Sequence, residues 1–166
     1  MDNTSSGTND AVTRALDKYS DMVRRICFIY LKNEADVEDI FQDVFFKLLQ
    51  YKKSFENEEH EKAWLCRVTI NQCKDFNKSF FRRNVCSIED LEIPTEDKTE
   101  EGLIREVMAL PQKYRDVIYL YYYEDYPISE VAKILGKNEN TVHTRLRRAK
   151  AILKNKLRGF EDGNYF

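Results

Sequence analysis

The sequence predicts an all-α fold, in which two small helical domains are joined by a flexible acidic linker and the second domain contains a helix-turn-helix. Apolar residues recur at steps of three and four along most of the 166 residues, which is the spacing of helices that bury one face. Only five Gly and three Pro occur, too few for a β fold rich in turns. An aperiodic, acidic stretch interrupts the helical pattern, and the chain is long enough for two small domains.

The composition is that of a soluble protein, with 42% hydrophobic and 34% charged residues. No apolar run is long enough to cross a membrane, and the N-terminal stretch MDNTSSGTND lacks the apolar core of a signal peptide. We therefore expect a cytoplasmic protein with no membrane insertion. The net charge of −2 conceals a basic C-terminal helix that is offset by acidic segments, and this separation suggests distinct surfaces for distinct partners.

Enzymatic chemistry is not expected from this sequence. It shows no nucleophile–base pair, no phosphate-binding glycine loop and no cluster of metal ligands, so we predict no catalytic residues, no cofactor and no metal. The four cysteines, Cys27, Cys66, Cys73 and Cys86, form no CxxC pair, and with two separate histidines they make no recognisable zinc site. Three of them fall in apolar helical patterns, which favours buried free thiols.

The first third of the chain predicts two helices after a short tail. Residues 1 to about 10 are polar and are expected to be disordered. An apolar stripe then runs from Leu16 to Tyr30. Asn33 can cap a second helix that continues to about Tyr51. The predicted core side of this second helix consists of Val37, Ile40, Phe41, Val44, Phe45, Leu48 and Leu49.

The opposite side of the second helix carries an acidic stripe of Asp36, Asp39 and Asp43, with Gln42 beside it. No basic residue lies within helical reach of Asp36 or Asp39, so the repulsion between these acids is not compensated inside the helix. We interpret the stripe as a binding surface for a partner. The alternative is a solvated face whose acids are favoured by the helix dipole near its N-terminus.

A polar loop from Lys52 to Glu61, whose one large apolar residue is Phe55, precedes a third helix that ends near Phe81. The predicted buried side of this helix consists of Trp64, Leu65, Val68, Gln72 and Phe76. Another side, at steps of four, three and four, consists of Arg67, Asn71, Lys74 and Lys78. Cations that hold the backbone, interleaved with rings that stack on bases, favour single-stranded or melted nucleic acid. An amphipathic helix with a lysine edge is the alternative interpretation.

The clearest boundary lies between residues 84 and 102, where periodicity stops, Pro94 occurs and acids outnumber bases. This composition predicts an extended linker. The second domain is predicted to begin with a short helix. Pro111 suits the first turn of the next helix, whose tyrosines at 121–123 are expected to pack in the core and at its rim. The tail after Arg158 is expected to be frayed. The predicted ranges are 11–84 for the first domain, 85–101 for the linker and 102–160 for the second domain.

A helix-turn-helix is predicted over residues 126–153. Ser129 is placed to cap its first helix, Gly136 to end that helix in a left-handed conformation, and Asn138 to cap the second. The second helix buries an apolar stripe and is strongly basic, with eight Lys or Arg and one acid between residues 137 and 158. A positive helix after a tight turn favours duplex DNA, with side chains near its start reaching base edges. The alternative is a solvated basic helix that closes an ordinary bundle.

Three motifs follow one another along the chain: DVEDIFQDVFFKL, then KAWLCRVTINQCKDF, then LPQKYRDVIYLYYYEDYPISEVAKILGKNENTVHTRLRRAK. In this order, with an acidic linker before the third, they resemble the small sigma factors of bacterial RNA polymerase, the extracytoplasmic-function group. The resemblance extends from Asp17 to Lys156. It implies an alternative sigma factor that binds core RNA polymerase and directs promoter-specific transcription initiation.

The resemblance also implies which residues contact each partner. The acidic helix would dock on a coiled coil of the largest polymerase subunit through Asp36, Asp39, Gln42 and Asp43. The loop and third helix would recognise and melt the −10 promoter element through Phe55, Asn57, Arg67, Asn71, Lys74 and Lys78. The helix-turn-helix would read the −35 element through Asn140, Thr141, His143, Thr144, Arg147, Arg148 and Lys150. The further partners implied are promoter DNA, the flap of the second-largest subunit and an anti-sigma factor.

One departure from the family pattern bears on the base contacts expected at the start of the second helix of the motif, and the residues themselves leave two other functions open. The second helix of the motif begins with Asn138 and Glu139, where the family commonly has Ser or Thr, and an acid that faces phosphates is unfavourable. One alternative function is a free-standing helix-turn-helix regulator, whose N-terminal helices serve dimerisation or sensing. The other is a protein-interaction module with no DNA role.

Overall fold

The structure is a computed structural model that describes residues 3–83 and 100–156. The described chain is helical and contains no strand. It divides into two compact units, residues 1–86 and residues 87–166, and each unit has its own apolar core. The prediction of an all-α chain with two helical domains is therefore confirmed. None of the described helices is both long and apolar enough to cross a membrane.

The first unit is a bundle of three helices in which each helix packs against the other two. Helix α1 spans Asn3–Tyr30, α2 spans Glu34–Gln50 and α3 spans Glu58–Arg83. All three helices contribute to the core. Its largest fully buried side chains are those of Val23, Ile26, Val37, Val44, Leu65 and Ile70.

α1 begins at Asn3, so the predicted disorder of residues 1 to about 10 is wrong for the described part of that stretch. The turns from Gly7 to Asp10 are exposed and gain nothing from burial. They are held by the hydrogen bonds of the helix itself, because no proline interrupts a helix that the buried residues from Ala15 onward have already nucleated.

α2 begins where the sequence predicts, because the side-chain oxygen of Asn33 accepts the backbone N–H of Asp36 at 3.1 Å. Phe41 is half-buried, and the guanidinium of Arg24 lies 4.0 Å from the centre of its ring. The assignment of Leu49 to the core is wrong, because this residue lies at the outer edge of the apolar stripe and is 39% exposed. The predicted core residues that are buried are Val37, Ile40, Val44, Phe45 and Leu48.

α3 begins at Glu58, three residues earlier than predicted, because the side-chain oxygen of Asn57 accepts the backbone N–H of His60 at 2.9 Å. Its buried face is also broader than the predicted stripe, since α1 and α2 cover it from two sides. The buried residues are Trp64, Leu65, Cys66, Thr69, Ile70 and Cys73. The residues that were predicted to be buried and are only half-buried are Val68, Gln72 and Phe76.

The three cysteines of the first unit that the structure describes, Cys27, Cys66 and Cys73, are buried free thiols, as predicted. A hydrogen bond with Cys27, together with burial, raises the pKa of the Cys73 thiol, which therefore stays protonated at neutral pH. The sulfur of Cys66 lies 3.6 Å from the sulfur of Met22. Cys86 lies outside the described residues.

The second unit contains four α-helices within residues 100–156. Helix α4 spans Glu100–Ala109, α5 spans Gln112–Ile118, α6 spans Ile128–Leu135 and α7 spans Glu139–Lys156. α7 packs against both α5 and α6. The core of the unit includes Tyr114, Val117, Leu120, Val131, Leu135, Val142, Leu146 and Leu153.

The tyrosine-rich segment after α5 forms a π-helical turn, Tyr119–Tyr123, which the sequence does not predict. Its tyrosines are half-buried or exposed, so they form the rim of the unit, and Leu120 is its buried residue. The wide turn is closed by the backbone N–H of Glu124, which donates to the Tyr119 carbonyl at 3.1 Å. The chain then changes direction at Asp125, a non-glycine residue with a φ of 56°.

Two predicted segments fall outside the described residues. One is the linker at 85–101, apart from its last two residues, which already belong to α4. The other is the tail after Arg158. Pro111 is described and lies at the N-cap of α5, one position before the first turn in which it was predicted.

Candidate polymerase and nucleic-acid interfaces

The acidic stripe of α2 points away from the rest of its unit. Asp39 and Asp43 are exposed, and Asp36 is half-buried beside the helix cap. These three carboxylates form no ion pair with any residue that the structure describes. Glu38, on the side that faces α1, differs because it accepts a hydrogen bond from Arg24 Nε at 3.1 Å. α2 thus separates a carboxylate used within the unit from carboxylates presented to solvent.

An apolar side chain continues this exposed side of α2. Phe46 is 59% exposed, and it follows Asp43 by three residues and Asp39 by seven, a spacing that places it on the same side as Gln42. We call Asp39, Gln42, Asp43 and Phe46 the α2 outer face. Sequence analysis missed Phe46, although it falls outside the apolar stripe of its helix, and that mismatch was the available signal. The side of α2 that carries these acids therefore also exposes a large aromatic ring.

The loop between α2 and α3, residues 51–57, is held against α3 by aromatic contacts. The rings of Tyr51 and Phe55 stack with centroids 4.8 Å apart at an angle of 13°. Trp64 lies against both rings, 4.8 Å from that of Tyr51 and 5.7 Å from that of Phe55. Phe55, predicted to contact the −10 element, is therefore half-buried and has a role in the fold as well.

The start of α3 is also tied to α1. Lys18 Nζ lies 2.5 Å from Glu58 Oε2, and the Tyr19 hydroxyl donates to the Glu58 carbonyl at 3.4 Å. The hydrogen bond with Lys18 lowers the pKa of Glu58, and the same bond raises the pKa of Lys18. These contacts position the N-terminus of α3, and with it the exposed Asn57.

One side of α3 brings together four of the predicted nucleic-acid residues. Arg67, Asn71 and Lys78 are exposed, and Lys74 is half-buried. Three cations and an amide along one side suit the phosphate backbone of a nucleic acid. The loop that carries Asn57 lies at the start of the same helix, roughly 15 Å from Arg67 at about 1.5 Å of rise per residue.

The turn between α6 and α7 is fixed by the main chain, as predicted. Gly136 ends α6 with φ 62° and ψ 38°, in the left-handed region. The backbone N–H of Lys137 donates to the Ala132 carbonyl at 2.9 Å across the end of the helix. The side-chain oxygen of Asn138 then accepts the backbone N–H of Thr141 at 2.8 Å and caps α7.

The predicted cap of α6 is wrong. α6 begins at Ile128, directly after Pro127 at φ −64°, so Ser129 lies inside the first turn rather than before it. Proline already holds φ close to the helical value and has no N–H to satisfy. The helix therefore starts there without a side-chain cap.

The side of α7 that is not buried carries the residues predicted to read duplex DNA. Its exposed or half-buried members are Asn140, Thr141, His143, Thr144, Arg147 and Arg148. The opposite side is buried through Val142, Leu146, Ala149 and Leu153, as predicted. Lys150 is half-buried, and its Nζ lies 5.2 Å from the centre of the Tyr122 ring. This lysine therefore packs against its own unit, in addition to any contact with phosphate.

A cleft of about 390 Å³ opens between the start of α5 and α7. It is lined by Lys113, Tyr114, Asn138, Asn140, Thr141, Thr144, Arg145 and Arg148. Three of the described lining residues are cations and none is an acid. Sequence analysis did not assign Lys113 or Arg145 to this site. Arg145 lies on α7 itself, whereas Lys113 comes from a different helix, and only the packing of the two helices brings it beside the α7 residues.

Two parts of this chain match two regions of the sigma-70 family. Residues 15–84 match Sigma-70 region 2, and residues 101–153 match Sigma-70, region 4. RNA polymerase sigma factor SigV of Bacillus subtilis (strain 168) is 32% identical over 137 residues, which covers 80% of this chain and 82% of SigV. The ECF RNA polymerase sigma factor SigW of the same organism is 27% identical over 171 residues, which covers 92% of this chain and 91% of SigW.

A solved structure shares the fold. The sigma factor RpoE from Bartonella quintana, co-crystallised with the anti-sigma factor NepR, matches with a TM-score of 0.72 at 21% identity, covering 88% of this chain and 96% of that chain. The two matched regions and the similarity to SigV agree with the motifs read from the sequence. The chain therefore belongs to the extracytoplasmic-function group of the sigma-70 family, the alternative sigma factors that direct RNA polymerase to particular promoters.

Proposed function

We propose that this sigma factor divides promoter recognition between its two units. The first unit binds core RNA polymerase and the −10 element, and the second reads the −35 element as duplex DNA. The observation that carries the proposal is the α2 outer face, where acids without an ion-pair partner in the described chain adjoin an exposed phenylalanine. We assign residues 11–84 and 102–160 to these roles, residues 85–101 to the linker, and no catalytic step to the chain.

The α2 outer face suits a partner that is basic and partly apolar. The carboxylates of Asp39 and Asp43 attract such a partner over several ångströms, and salt weakens this attraction. Phe46 supplies an exposed ring that a partner would bury, and a stable contact usually depends on such a ring. We assign this partner as the coiled coil of the largest polymerase subunit, with Gln42 inside the contact and Asp36 at its edge.

The −10 element is assigned to the loop 51–57 and to the exposed side of α3. Cations along that side would hold the backbone of the separated strand, and the polar and aromatic residues would meet its bases. The residues assigned are Phe55, Asn57, Arg67, Asn71, Lys74 and Lys78. Phe55 holds the loop through its contact with Tyr51, and Asn57 caps α3. Because both contacts exist without DNA, the surface that we assign to the bases is formed before DNA binds.

The −35 element is assigned to α7 and to the cleft beside it. Base contacts are assigned to Asn140, Thr141, His143, Thr144 and Arg147, and a bidentate contact of this kind contributes about 1–3 kcal/mol of discrimination. Phosphate contacts are assigned to Arg148, Lys150, Lys113 and Arg145.

The flap of the second-largest subunit is the protein partner we assign to this unit. Tyr123, 61% exposed and stacked on Tyr119 at 5.4 Å, supports a protein contact.

We also propose that an anti-sigma factor holds the protein inactive. The sigma factor RpoE of Bartonella quintana forms a complex with the anti-sigma factor NepR. In the present chain, an inhibitor that covered Phe46 and the acids of the α2 outer face would exclude core polymerase by direct competition.

The test of the docking assignment is the double change Asp39→Lys with Asp43→Lys. Both residues are exposed, so the fold should be nearly unaffected, by roughly 0.5 kcal/mol or less. Binding to core polymerase should fall sharply, because the reversed charges repel a basic partner. The measurement is co-migration with core enzyme at low and moderate salt, after circular dichroism has confirmed the helices.

The matched control is Asp17→Lys with Asp21→Lys. These two acids are also exposed and also lie four residues apart, but they belong to α1. The control should bind core enzyme like the wild type. Normal binding by the α2 variant would remove the docking role from these residues, and a wild-type protein that binds promoter DNA but no core enzyme would indicate a free-standing regulator.

A further inference from the structure

The start of α7 carries an acid in a helix that is otherwise basic. Glu139 is the first residue of α7, and between residues 137 and 158 it is the single acid beside eight Lys or Arg. The residue is exposed, and its carboxylate forms no ion pair or hydrogen bond with any residue that the structure describes. A carboxylate close to DNA repels the phosphates, so it weakens binding to every sequence unless it gains a partner in the complex.

Capping of the helix does not explain this acid. The side-chain oxygen of Asn138 accepts the backbone N–H of Thr141 at 2.8 Å, and the Asn138 carbonyl accepts the backbone N–H of Val142 at 3.2 Å. The remaining structural role of Glu139 is its attraction to the positive end of the helix dipole, which is small at an exposed site and is screened by salt. We therefore looked for a partner of the carboxylate on the DNA.

Glu139 belongs to a row of side chains that stays outside the cleft between α5 and α7. Glu139, His143 and Arg147 are four residues apart, all three are exposed, and none of them lines the cleft. We call these three residues the outer row of α7. The neighbouring row, which does line the cleft, consists of Asn140, Thr144 and Arg148. Because the cations of the cleft suit phosphates, the outer row is left to meet the edges of the bases.

We propose that Glu139 reads a cytosine of the −35 element by accepting a hydrogen bond from its N4 amino group. This inference rests on the assignment of α7 to duplex DNA. In the major groove, cytosine presents the N4 donor, adenine presents its N6 donor beside the N7 acceptor, and guanine and thymine present acceptors. A carboxylate, which only accepts, therefore favours cytosine, then adenine, and disfavours guanine and thymine.

The spacing of the outer row indicates where this cytosine lies. Glu139 precedes His143 by four residues, which is about 6 Å along the helix axis at about 1.5 Å of rise per residue. Successive base pairs are about 3.4 Å apart, so this step corresponds to roughly two base pairs where the helix follows the groove. The cytosine is therefore expected roughly two base pairs beyond the base that His143 contacts. The repulsion of other bases at that position makes Glu139 a residue that excludes wrong promoters.

The test compares Glu139→Gln and Glu139→Ala with the wild type. Holoenzyme formed with each full-length chain is bound to duplex promoter fragments in which every −35 position is varied in turn. Glu139→Gln should move the preference at one position from cytosine toward adenine, because an amide can pair with both N6 and N7 of adenine. Glu139→Ala should lower the preference for cytosine about tenfold, as for the loss of one hydrogen bond to a charged group, and should bind the other bases more tightly.

The matched control is Glu130→Gln. Glu130 is also an acid in the first turn of a helix of the motif, but its carboxylate lies 3.0 Å from Lys133 Nζ within the same helix. This variant should keep the wild-type preference at every −35 position. Thermal unfolding of each variant shows whether the second unit remains intact.

A purely structural role of Glu139 predicts a different pattern. In that case Glu139→Ala would lower the unfolding midpoint and weaken binding to all sequences alike, and this result would overturn the inference. An unchanged preference profile in both variants would also overturn it. If wild-type holoenzyme discriminates at other −35 positions but nowhere prefers cytosine, this inference alone fails. If it discriminates at no −35 position, the assignment of α7 to that element fails as well.

Discussion

The two helices assigned to DNA, α3 and α7, are capped alike but are preceded by segments that are held differently. Each is preceded by an asparagine whose side-chain oxygen accepts a backbone N–H three residues later, at 2.9 Å for Asn57 and 2.8 Å for Asn138. The turn before α7 is fixed by main-chain geometry, through the left-handed Gly136. The loop 51–57 before α3 is fixed by side chains, through rings gathered on Trp64.

This difference suits the two forms of DNA that we assign to the helices. A duplex presents a regular groove, so a helix that reads it needs one defined approach angle, which the main chain can set. An unpaired strand presents bases that side chains must meet one by one. The comparison therefore predicts that changes in the loop 51–57 alter which promoters are read, whereas changes in the turn before α7 alter the orientation of the whole helix.

The largest effect is expected from Trp64→Ala. Trp64 is 8% exposed and contacts both Tyr51 and Phe55, so its loss should destabilise the first unit by about 3–5 kcal/mol and release the loop. Urea unfolding followed by circular dichroism measures the loss, with Trp64→Phe as the milder control. Duplex binding through the second unit should persist, and an equal loss there would contradict the separation of the two regions.

A smaller effect is expected when Gly136 or Gly7 is changed to alanine, and its sign should be opposite at the two sites. Gly136→Ala should destabilise the second unit by about 1–2 kcal/mol, because its φ of 62° disfavours any residue with a Cβ atom. Gly7→Ala should instead stabilise α1, because helical glycine is less favourable than alanine by about 1 kcal/mol. An added Cβ meets no atom within 4 Å at either site, so a similar change in the two midpoints of thermal unfolding would refute the role of backbone geometry.

The smallest effect concerns the contact between α1 and the start of α3. The hydrogen bond with Lys18 lowers the pKa of Glu58 below its ordinary value of 4.5, so the contact stabilises the fold above that pH and is lost as the pH falls through the lowered pKa. Glu58→Gln should therefore be slightly less stable than the wild type at pH 7 and equal to it in strong acid. The urea midpoint across this pH range is the measurement. The difference in urea midpoint between Glu59→Gln and the wild type should change less with pH. An equal change would leave no specific role for the ion pair between Lys18 and Glu58.

Local chemistry explains which parts of this fold could be predicted from the sequence. Asn33 and Asn138 were identified as caps, and Gly136 as a helix end, because each acts through atoms within a few residues of itself. The apolar stripe of α7 was also correct. The early start of α3 was missed because Asn57 is followed by two glutamates and a histidine, without the apolar spacing that marks a helix.

Two of the features that were missed depend on contacts between elements distant in sequence. The exposure of Phe46 follows from which side of α2 the other two helices cover. Lys113 lies beside the exposed residues of α7 only because α5 packs beside α7. The π-helical turn Tyr119–Tyr123 widens the helix where the chain must turn toward α6 at Asp125, and no residue in that segment requires this by itself.

The buried thiols of the first unit allow opening of that unit to be measured by chemical labelling. Cys27, Cys66 and Cys73 are inaccessible in the closed bundle, whereas residues 100–156 contain no cysteine. With Cys86 replaced by serine, a thiol-reactive reagent can modify the chain only when the three helices separate. The rate of labelling then measures fluctuations of the first unit alone, and its slowing on addition of core polymerase would report how strongly the bound partner holds that unit closed.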